Sequence, residues 1–214
     1  MKSKKDLSMN DFYVFSSCNY LTTFYASTEK YCGIIHDDET RRKARAYIKG
    51  LFSGDYSNED ITFPVVYRED PYESGKKFRD ILDNRCSDMY LISDRFRQAL
   101  EESGITGWKC YPIELYDKKG NKIDGYHGLS IIGRAGRMQR YERPPLELGY
   151  SPDSYGYYFD LSTWDGSDMF ILEASRFLIV TQAFVDMLRK YKITACTYIK
   201  LTDYGDITKY KRIH

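Results

Sequence analysis

One sequence pattern occurs twice. Leu91-Ile92-Ser93-Asp94-Arg95-Phe96-Arg97-Gln98-Ala99-Leu100, followed by Ile105-Thr106-Gly107, returns 88 residues later as Ile179-Val180-Thr181-Gln182-Ala183-Phe184-Val185-Asp186-Met187-Leu188, followed by Ile193-Thr194-Ala195. Each copy has the pattern of a strand, a hydroxyl residue at a helix N-cap, a short helix, a tight turn and a second strand. The repeat predicts an α+β fold: a single domain with an antiparallel or mixed sheet, short helices and an internal strand–helix–strand repeat in the C-terminal half.

Outside the repeat, the pattern predicts several further elements. Residues 12–25 are aromatic and β-prone, and a helix begins at Asp37 and ends at Ser53-Gly54. Residues 61–68 indicate a strand that Pro64 places at a sheet edge. We therefore expect an N-terminal α/β portion, residues 1–87, packed on a repeat-containing portion, residues 88–214, most simply as one structural unit.

The pattern between and after these elements is less regular. Residues 70–85 are polar, with a possible helical turn around Phe78, Ile81 and Leu82. Residues 108–116 indicate a strand, and residues 127–133 its hairpin partner across a turn at residues 117–121. The tail, residues 204–214, is basic, and we expect it to be loosely held.

Composition excludes some classes of partner and compartment. The 214 residues contain 32 Lys and Arg against 31 Asp and Glu, so no global charge favours nucleic acid or an anionic membrane. Five cysteines at wide spacing indicate reduced thiols rather than a disulfide framework. No signal peptide and no apolar run of about 18 residues is visible, which predicts a cytoplasmic protein.

Four arginines follow residue 133, where the regular pattern ends. We expect residues 134–153 to form a long functional loop carrying Arg134, Arg137, Arg140 and Arg143. These side chains are either solvated loop charges or part of a contact surface for an acidic or phosphate-bearing partner.

The string Trp164-Asp165-Gly166-Ser167-Asp168 is the least ordinary local sequence. In one interpretation, Asp165 and Asp168 form a cation or partner site. In the other, Asp165-Gly166 is a tight turn, Trp164 and Phe170 anchor it to the core, and the carboxylates accept hydrogen bonds from nearby backbone N–H groups. The structural interpretation is favoured.

No catalytic constellation stands out. The three histidines, His36, His127 and His214, share no metal-ligand spacing, and no nucleophile elbow, phosphate-binding loop or dinucleotide fingerprint is present. Asp124 and His127 could supply an acid and a base, although Asp124-Gly125 is typical of a hairpin turn. We predict no catalytic, cofactor-binding or metal-binding residue, and thus a binding protein rather than an enzyme.

The two repeat copies and the string from Phe159 to Phe170 resemble a family of immunity proteins that accompany bacterial polymorphic toxins. The resemblance covers about residues 89–201 and no part of the first 85. It implies a protein without enzymatic activity that binds a toxin made by the same cell and blocks the toxin's active site or its access to substrate. Shared positions in such a family are structural, so no catalytic residue is carried over.

Three hypotheses follow. The first is a cytoplasmic immunity protein whose partner is a cognate toxin, with Arg134, Arg137, Arg140, Arg143, Trp164, Asp165 and Asp168 as candidate contacts. The second is an enzyme with Asp165, Asp168 and the four arginines around a pocket. The third is a phosphate- or nucleic-acid-binding module that uses the basic helix face at residues 41–49 and the arginine loop, against which the neutral overall charge argues. No membrane partner is expected, and the oligomeric state stays open.

Overall fold

Two large mixed β-sheets and three helices make up the part of the chain that the structure, a computed structural model, describes. That part comprises residues 7–18, 22–28, 30, 37–71, 74–84, 89–140, 156–173, 175–204 and 211–213. The architecture confirms the predicted α+β fold. Within these residues, no helix is both long and apolar enough to cross a membrane.

The helices are α1 (Asp38–Ser53), α2 (Asp94–Glu102) and α3 (Gln182–Lys190). The strands are β1 (Phe12–Ser17), β2 (Tyr25–Thr28), β3 (Val65–Glu69), β4 (Ile81–Asn84), β5 (Tyr90–Ser93), β6 (Trp108–Tyr111), β7 (Ile113–Tyr116), β8 (Lys122–Ile123), β9 (Tyr126–Ile131), β10 (Gly133–Arg137), β11 (Gln139–Arg140), β12 (Tyr157–Tyr158), β13 (Met169–Glu173), β14 (Leu178–Thr181), β15 (Cys196–Lys200) and β16 (Lys211–Ile213).

The first sheet has the strand order β6-β9-β5-β4-β2-β3-β7-β8, and the second has the order β10-β13-β14-β1-β15-β16. Strands β11 and β12 form a separate ribbon. The boundary between residues 87 and 88 does not coincide with the division between the sheets. Strand β1 belongs to the second sheet, and the first repeat copy, with β5 and β6, belongs to the first.

Both copies of the repeat fold in the same way. Strand β5, helix α2 and strand β6 correspond to strand β14, helix α3 and strand β15. The helices end alike, since the Ile105 N–H donates to the Leu100 carbonyl at 3.1 Å and the Ile193 N–H to the Leu188 carbonyl at 2.9 Å. The sequence similarity therefore reports a true structural duplication.

The duplication extends beyond the stretch visible in the sequence. The antiparallel pair β4–β5 matches β13–β14, and the parallel pair β2–β4 matches β10–β13. We call the set β2, β4, β5, α2 and β6 unit 1, and the set β10, β13, β14, α3 and β15 unit 2. Strand β1, which precedes unit 1, lies between β14 and β15 of unit 2, while β9, which precedes unit 2, lies between β5 and β6 of unit 1. The strand that precedes each unit in the chain therefore lies in the sheet of the other unit, so the two units have exchanged their first strands.

The two units are related by a pseudo-twofold axis. Equivalent residues Phe96 and Phe184 meet across it, with ring centroids 6.2 Å apart, as residues on a twofold axis do. The Asp80 carboxylate accepts from the Thr194 N–H at 2.8 Å, and its equivalent Asp168 accepts from the Thr106 N–H at 3.1 Å. Both threonine hydroxyls also donate to these carboxylates. We call these reciprocal contacts the aspartate clasps.

Because successive side chains of a strand point to opposite faces of the sheet, the buried side chains fall into three clusters. Tyr13 and Phe15 of β1 face a central cluster shared by both sheets, α2 and α3. Phe12 and Val14 face a second cluster on the other side of the second sheet. The third cluster lies between α1 and the first sheet.

Two predicted elements of the N-terminal portion are wrong. The polar stretch expected to hold a helical turn contains strand β4, which pairs antiparallel with β5. Strand β3 begins after Pro64 and lies between β2 and β7 rather than at an edge, so the proline interrupts no ladder.

Three later expectations also change. Residues 108–116 form two strands, β6 and β7, on either side of Pro112. Strand β9 pairs antiparallel with β6, as expected, but the strand that pairs with β7 across the turn is β8. The expected loop begins with β10 and β11, so Arg134, Arg137 and Arg140 lie on strands. Of the tail, residues 211–213 pair with β15 as β16, and residues 205–210 lie outside the described part.

Lys192 has the left-handed backbone conformation that a glycine adopts at the equivalent position of unit 1. It has a φ of 51° where the equivalent Gly104 has 64°, and it is exposed. Since a left-handed conformation costs a non-glycine residue about 1–2 kcal/mol and glycine costs about 0.5–1 kcal/mol in chain entropy, Lys192→Gly should raise the free energy of unfolding by about 0.5–1 kcal/mol. Urea denaturation would measure this. Lys192→Ala removes the same side chain but keeps the strain, so an equal gain in both variants would contradict the explanation.

Candidate functional site

Arg134 supports the fold with its charge. Its guanidinium donates to the carbonyls of Ile131 at 2.7 Å, Gly133 at 2.8 Å and Ser53 at 2.6 Å. The last contact caps the C-terminus of α1, where a cation is favourable. Burial lowers the pKa of the Arg134 guanidinium, although Asp165 and Asp55 oppose the shift.

Asp165 accepts the backbone hydrogen bonds that the structural interpretation expected. Its carboxylate accepts from the backbone N–H groups of Arg134 at 2.7 Å and Ser167 at 2.9 Å, and Gly166 follows with a φ of 94°. Burial alone would raise the pKa of Asp165, but the hydrogen bonds from Ser167 and Arg134 outweigh it, so the pKa is lowered. The carboxylate is therefore ionised and occupied by donors of its own fold.

Trp164 and Asp168 are also held by internal contacts. Trp164 is half-buried, its ring lies 5.1 Å from that of Phe12 and 5.7 Å from that of Phe170, and its indole N–H donates to the Ser167 carbonyl at 3.0 Å. Asp168 belongs to a clasp and accepts in addition from the Thr181 hydroxyl at 2.7 Å. These are the roles that the structural alternative assigned.

The remaining predicted contact residues are dispersed. Arg137 and Arg140 are exposed on β10 and β11, and the Arg140 guanidinium lies 5.6 Å from the centre of the Tyr157 ring. Arg143 lies outside the described residues. Of the six described candidates, Arg134, Trp164, Asp165 and Asp168 are therefore held by contacts within the fold, and Arg137 and Arg140 are exposed.

The basic face of α1, at residues 41–49, ends where Arg134 of the second basic segment contacts the helix. Arg42, Arg45 and Lys49 are exposed along α1, and none of them forms an ion pair with a described residue. Where the helix ends, the Lys109 ammonium donates to the Gly54 carbonyl at 2.8 Å and lies 3.9 Å from the centre of the Tyr56 ring. The Arg134 guanidinium caps the same helix end.

Exposed apolar side chains adjoin these cations. Phe63 is 41% exposed, and its ring lies 4.9 Å from that of Tyr56. Ile132 is 46% exposed and borders Gly54, where the methyl group of an alanine would lie 2.8 Å from the Ile132 side chain. We call the surface formed by Gly54, Tyr56, Phe63, Lys109, Ile132 and Arg134 the helix-end patch.

Sequence reasoning missed most of this patch. Only Arg134 was among the predicted contact residues. Phe63 precedes a proline and Ile132 follows a strand, and neither belongs to a motif. Their exposure depends on where α1 ends against β6 and β10, which no local pattern reveals.

The polar contact that His127 makes has an equivalent in unit 2. His127 Nε2 lies 2.6 Å from Asp94 Oδ1, at the start of α2, rather than pairing with Asp124. At the equivalent place in unit 2, the Tyr13 hydroxyl donates to Gln182 at the start of α3. A polar contact of this kind in both units, with different chemistry, indicates a strand-to-helix link more than an acid–base pair.

The described residues contain no group of three or more His, Cys, Asp or Glu side chains arranged to hold a metal ion. Among the cysteines, burial raises the pKa of the Cys110 thiol to about 11, so it is neutral at pH 7. Its low thiolate content makes it a poor nucleophile.

No protein-family model matches the chain, and no curated protein is significantly similar to it in sequence.

Proposed function

We propose that the chain is an immunity protein of a bacterial polymorphic toxin system, which binds its cognate toxin in the cytoplasm with one-to-one stoichiometry. It acts by covering the toxin's active site or the route of its substrate. The observation that supports this function best is the helix-end patch, which combines exposed apolar side chains with cations that hydrogen bonds hold against the end of α1.

The composition of the patch suits tight protein binding. Interface hot spots are enriched in aromatic side chains and arginine, usually at the centre of a buried area of about 1,600 Å². Phe63 and Ile132 supply apolar surface, and Tyr56 supports both Phe63 and the Lys109 cation. Hydrogen bonds to carbonyls hold Lys109 and Arg134 in place, so little side-chain entropy is lost on binding.

The charged candidate residues form hydrogen bonds within the fold, which supports a binding protein over an enzyme. Asp165, Asp168 and Arg134, which an enzyme would need free, are held by hydrogen bonds within the fold. A cationic rim around an apolar centre fits a toxin surface with carboxylates around an apolar recess.

The test is co-expression with the product of the gene immediately upstream. Cells that express this gene product alone should stop growing, and this chain should restore growth and form a one-to-one complex measurable by light scattering. Growth arrest that this chain does not relieve, with no complex formed, would contradict the proposal.

Ile132→Asp should weaken toxin binding at least about tenfold, because it puts a charge into the apolar centre of the patch. Isothermal titration calorimetry would measure the change. Phe78→Asp is the matched control, since Phe78 is 51% exposed and stacks on Phe24, outside the patch. Equal loss of affinity in both variants, with unchanged melting temperatures, would place the interface elsewhere.

A second candidate function is favoured by one arrangement, the cations Arg42, Arg45 and Lys49 that lead along α1 to Arg134. Such a row could follow a phosphate backbone. Fluorescence anisotropy with single-stranded RNA and DNA would distinguish it, because phosphate binding weakens steeply with added salt.

A further inference from the structure

The two sheets differ at both ends: β3 extends the first sheet beyond β2, whereas no described strand lies beyond β10, and the opposite ends differ at β6 and β15. In unit 2, β16 pairs antiparallel with the outer edge of β15, with Cys196 opposite Ile213 and Tyr198 opposite Lys211. In unit 1, no described strand pairs with the outer edge of β6, where Trp108 and Cys110 are the equivalent residues. Within the described part of the chain, this edge is thus filled in unit 2 and unfilled in unit 1.

Hydrogen bonds identify the backbone groups that this edge presents. The Gly107 carbonyl accepts from the Ile132 N–H at 2.8 Å, so it points toward β9. Because successive residues of a strand point to opposite sides, the N–H and C=O groups of Trp108 and Cys110 point outward. The Ala195 carbonyl likewise accepts from the Cys18 N–H at 2.9 Å, and Cys196 and Tyr198 next to it face β16.

The burial of the equivalent side chains differs in the same way between the two edges. Cys196 is 0% exposed and Tyr198 is 4% exposed beside β16, whereas Trp108 and Cys110 are only partly buried. An unpaired edge of this kind is a ready template for a strand from another chain.

We propose that the outer edge of β6 binds an extended segment of the partner protein as an additional antiparallel strand, as β16 adds to β15. This inference rests on the proposed function, in which the partner is a toxin. Since Lys109 lies on β6, a strand in this position brings the rest of the partner over the helix-end patch.

The side chains of β6 define the chemistry of the added strand. Trp108 and Cys110 pack against the central cluster on one face, so the partner residues beside them should be apolar. Lys109 lies on the other face, and no carboxylate among the described residues pairs with its ammonium group. An aspartate or glutamate opposite Lys109 would complete a cross-strand ion pair.

The same lysine argues against a second copy of this chain as the occupant. If Trp108 of one copy lay opposite Cys110 of the other, Lys109 would lie directly opposite its own equivalent. Like charges in directly opposed positions destabilise a strand pair.

The test uses the full chain and the purified product of the gene immediately upstream. Cys110→Pro removes one outward N–H, which an edge strand tolerates, and Cys110→Ala removes the same thiol but keeps the N–H. We expect Cys110→Pro to weaken binding at least about tenfold and Cys110→Ala to change it less than about twofold. Equal affinity of both variants would overturn the inference.

Amide hydrogen exchange provides the second measurement, in case Cys110→Pro fails to fold. In the free wild-type protein, the Trp108 and Cys110 amides should exchange faster than those of Cys196 and Tyr198, and they should become protected in the complex. Protection already in the free chain, or none in the complex, would overturn strand addition while leaving toxin binding intact. Absence of any complex would instead overturn the proposed function, and a dimer of this chain that Cys110→Pro dissociates would identify a second copy as the occupant.

Discussion

Asp80→Ala is expected to lower the free energy of unfolding by about 4 kcal/mol. The Asp80 carboxylate is buried and accepts from the Thr194 N–H at 2.8 Å, the Thr194 hydroxyl at 2.9 Å and the Ser93 hydroxyl at 3.1 Å. Removing it leaves several donors without an acceptor, at about 1–3 kcal/mol for each that stays desolvated. Urea denaturation followed by circular dichroism would measure the loss.

The equivalent substitution in unit 2 is the control. Asp168 accepts the same kinds of hydrogen bond but is half-buried, so water can replace the carboxylate and Asp168→Ala should cost only about 2 kcal/mol. A double-mutant cycle between Asp80 and Thr194 should show coupling. A loss below about 1 kcal/mol for Asp80→Ala would mean that the clasp does not hold the units together.

Trp164→Ala should lower the free energy of unfolding by about 3 kcal/mol. Truncation of a buried tryptophan costs about 3–5 kcal/mol, and Trp164 falls at the lower end because it is half-buried. The substitution removes edge contacts to Phe12 and Phe170 and the indole hydrogen bond to Ser167. Thermal melts followed by circular dichroism, beside toxin-binding assays, would measure both effects.

Trp164→Phe keeps most of the packing and loses only the N–H donor, so it should cost about 1 kcal/mol. A normal melting temperature with lost toxin binding in Trp164→Ala would show that this side chain contacts the partner and does not support the core.

Local sequence predicted the helices well because their signals are local. Ser93 caps α2 by accepting from the Phe96 N–H at 3.2 Å, and Asp37 caps α1 through Thr40 at 2.7 Å. Thr181 departs from the pattern: its hydroxyl donates to Asp168 and makes no capping bond to α3. Ser93 makes the equivalent donation to Asp80 and still caps α2, so donation to a carboxylate does not by itself remove a cap.

The candidate site was harder to predict because its residues act over long separations. Arg134 caps a helix that ends 81 residues earlier in the chain, and Asp168 binds Thr106 from 62 residues away. An arginine in an irregular stretch and an aspartate after a turn have the same local pattern whether they bind a partner or the fold. The helix-end patch forms only where α1, β6 and β10 meet, and the local sequence around each of its residues does not indicate this.

The exchange of first strands has a consequence for how the protein is made. Strand β1 leaves the ribosome early, but its two neighbours, β14 and β15, are synthesised roughly 160 residues later. At translation rates of about 5–20 residues per second, this apolar strand waits on the order of ten seconds or more for its place in the sheet. The first sheet and the cluster against α1 are complete once β9 has been synthesised, but β1 stays without its neighbours until β14 and β15 follow, which exposes this apolar strand to aggregation in the nascent chain.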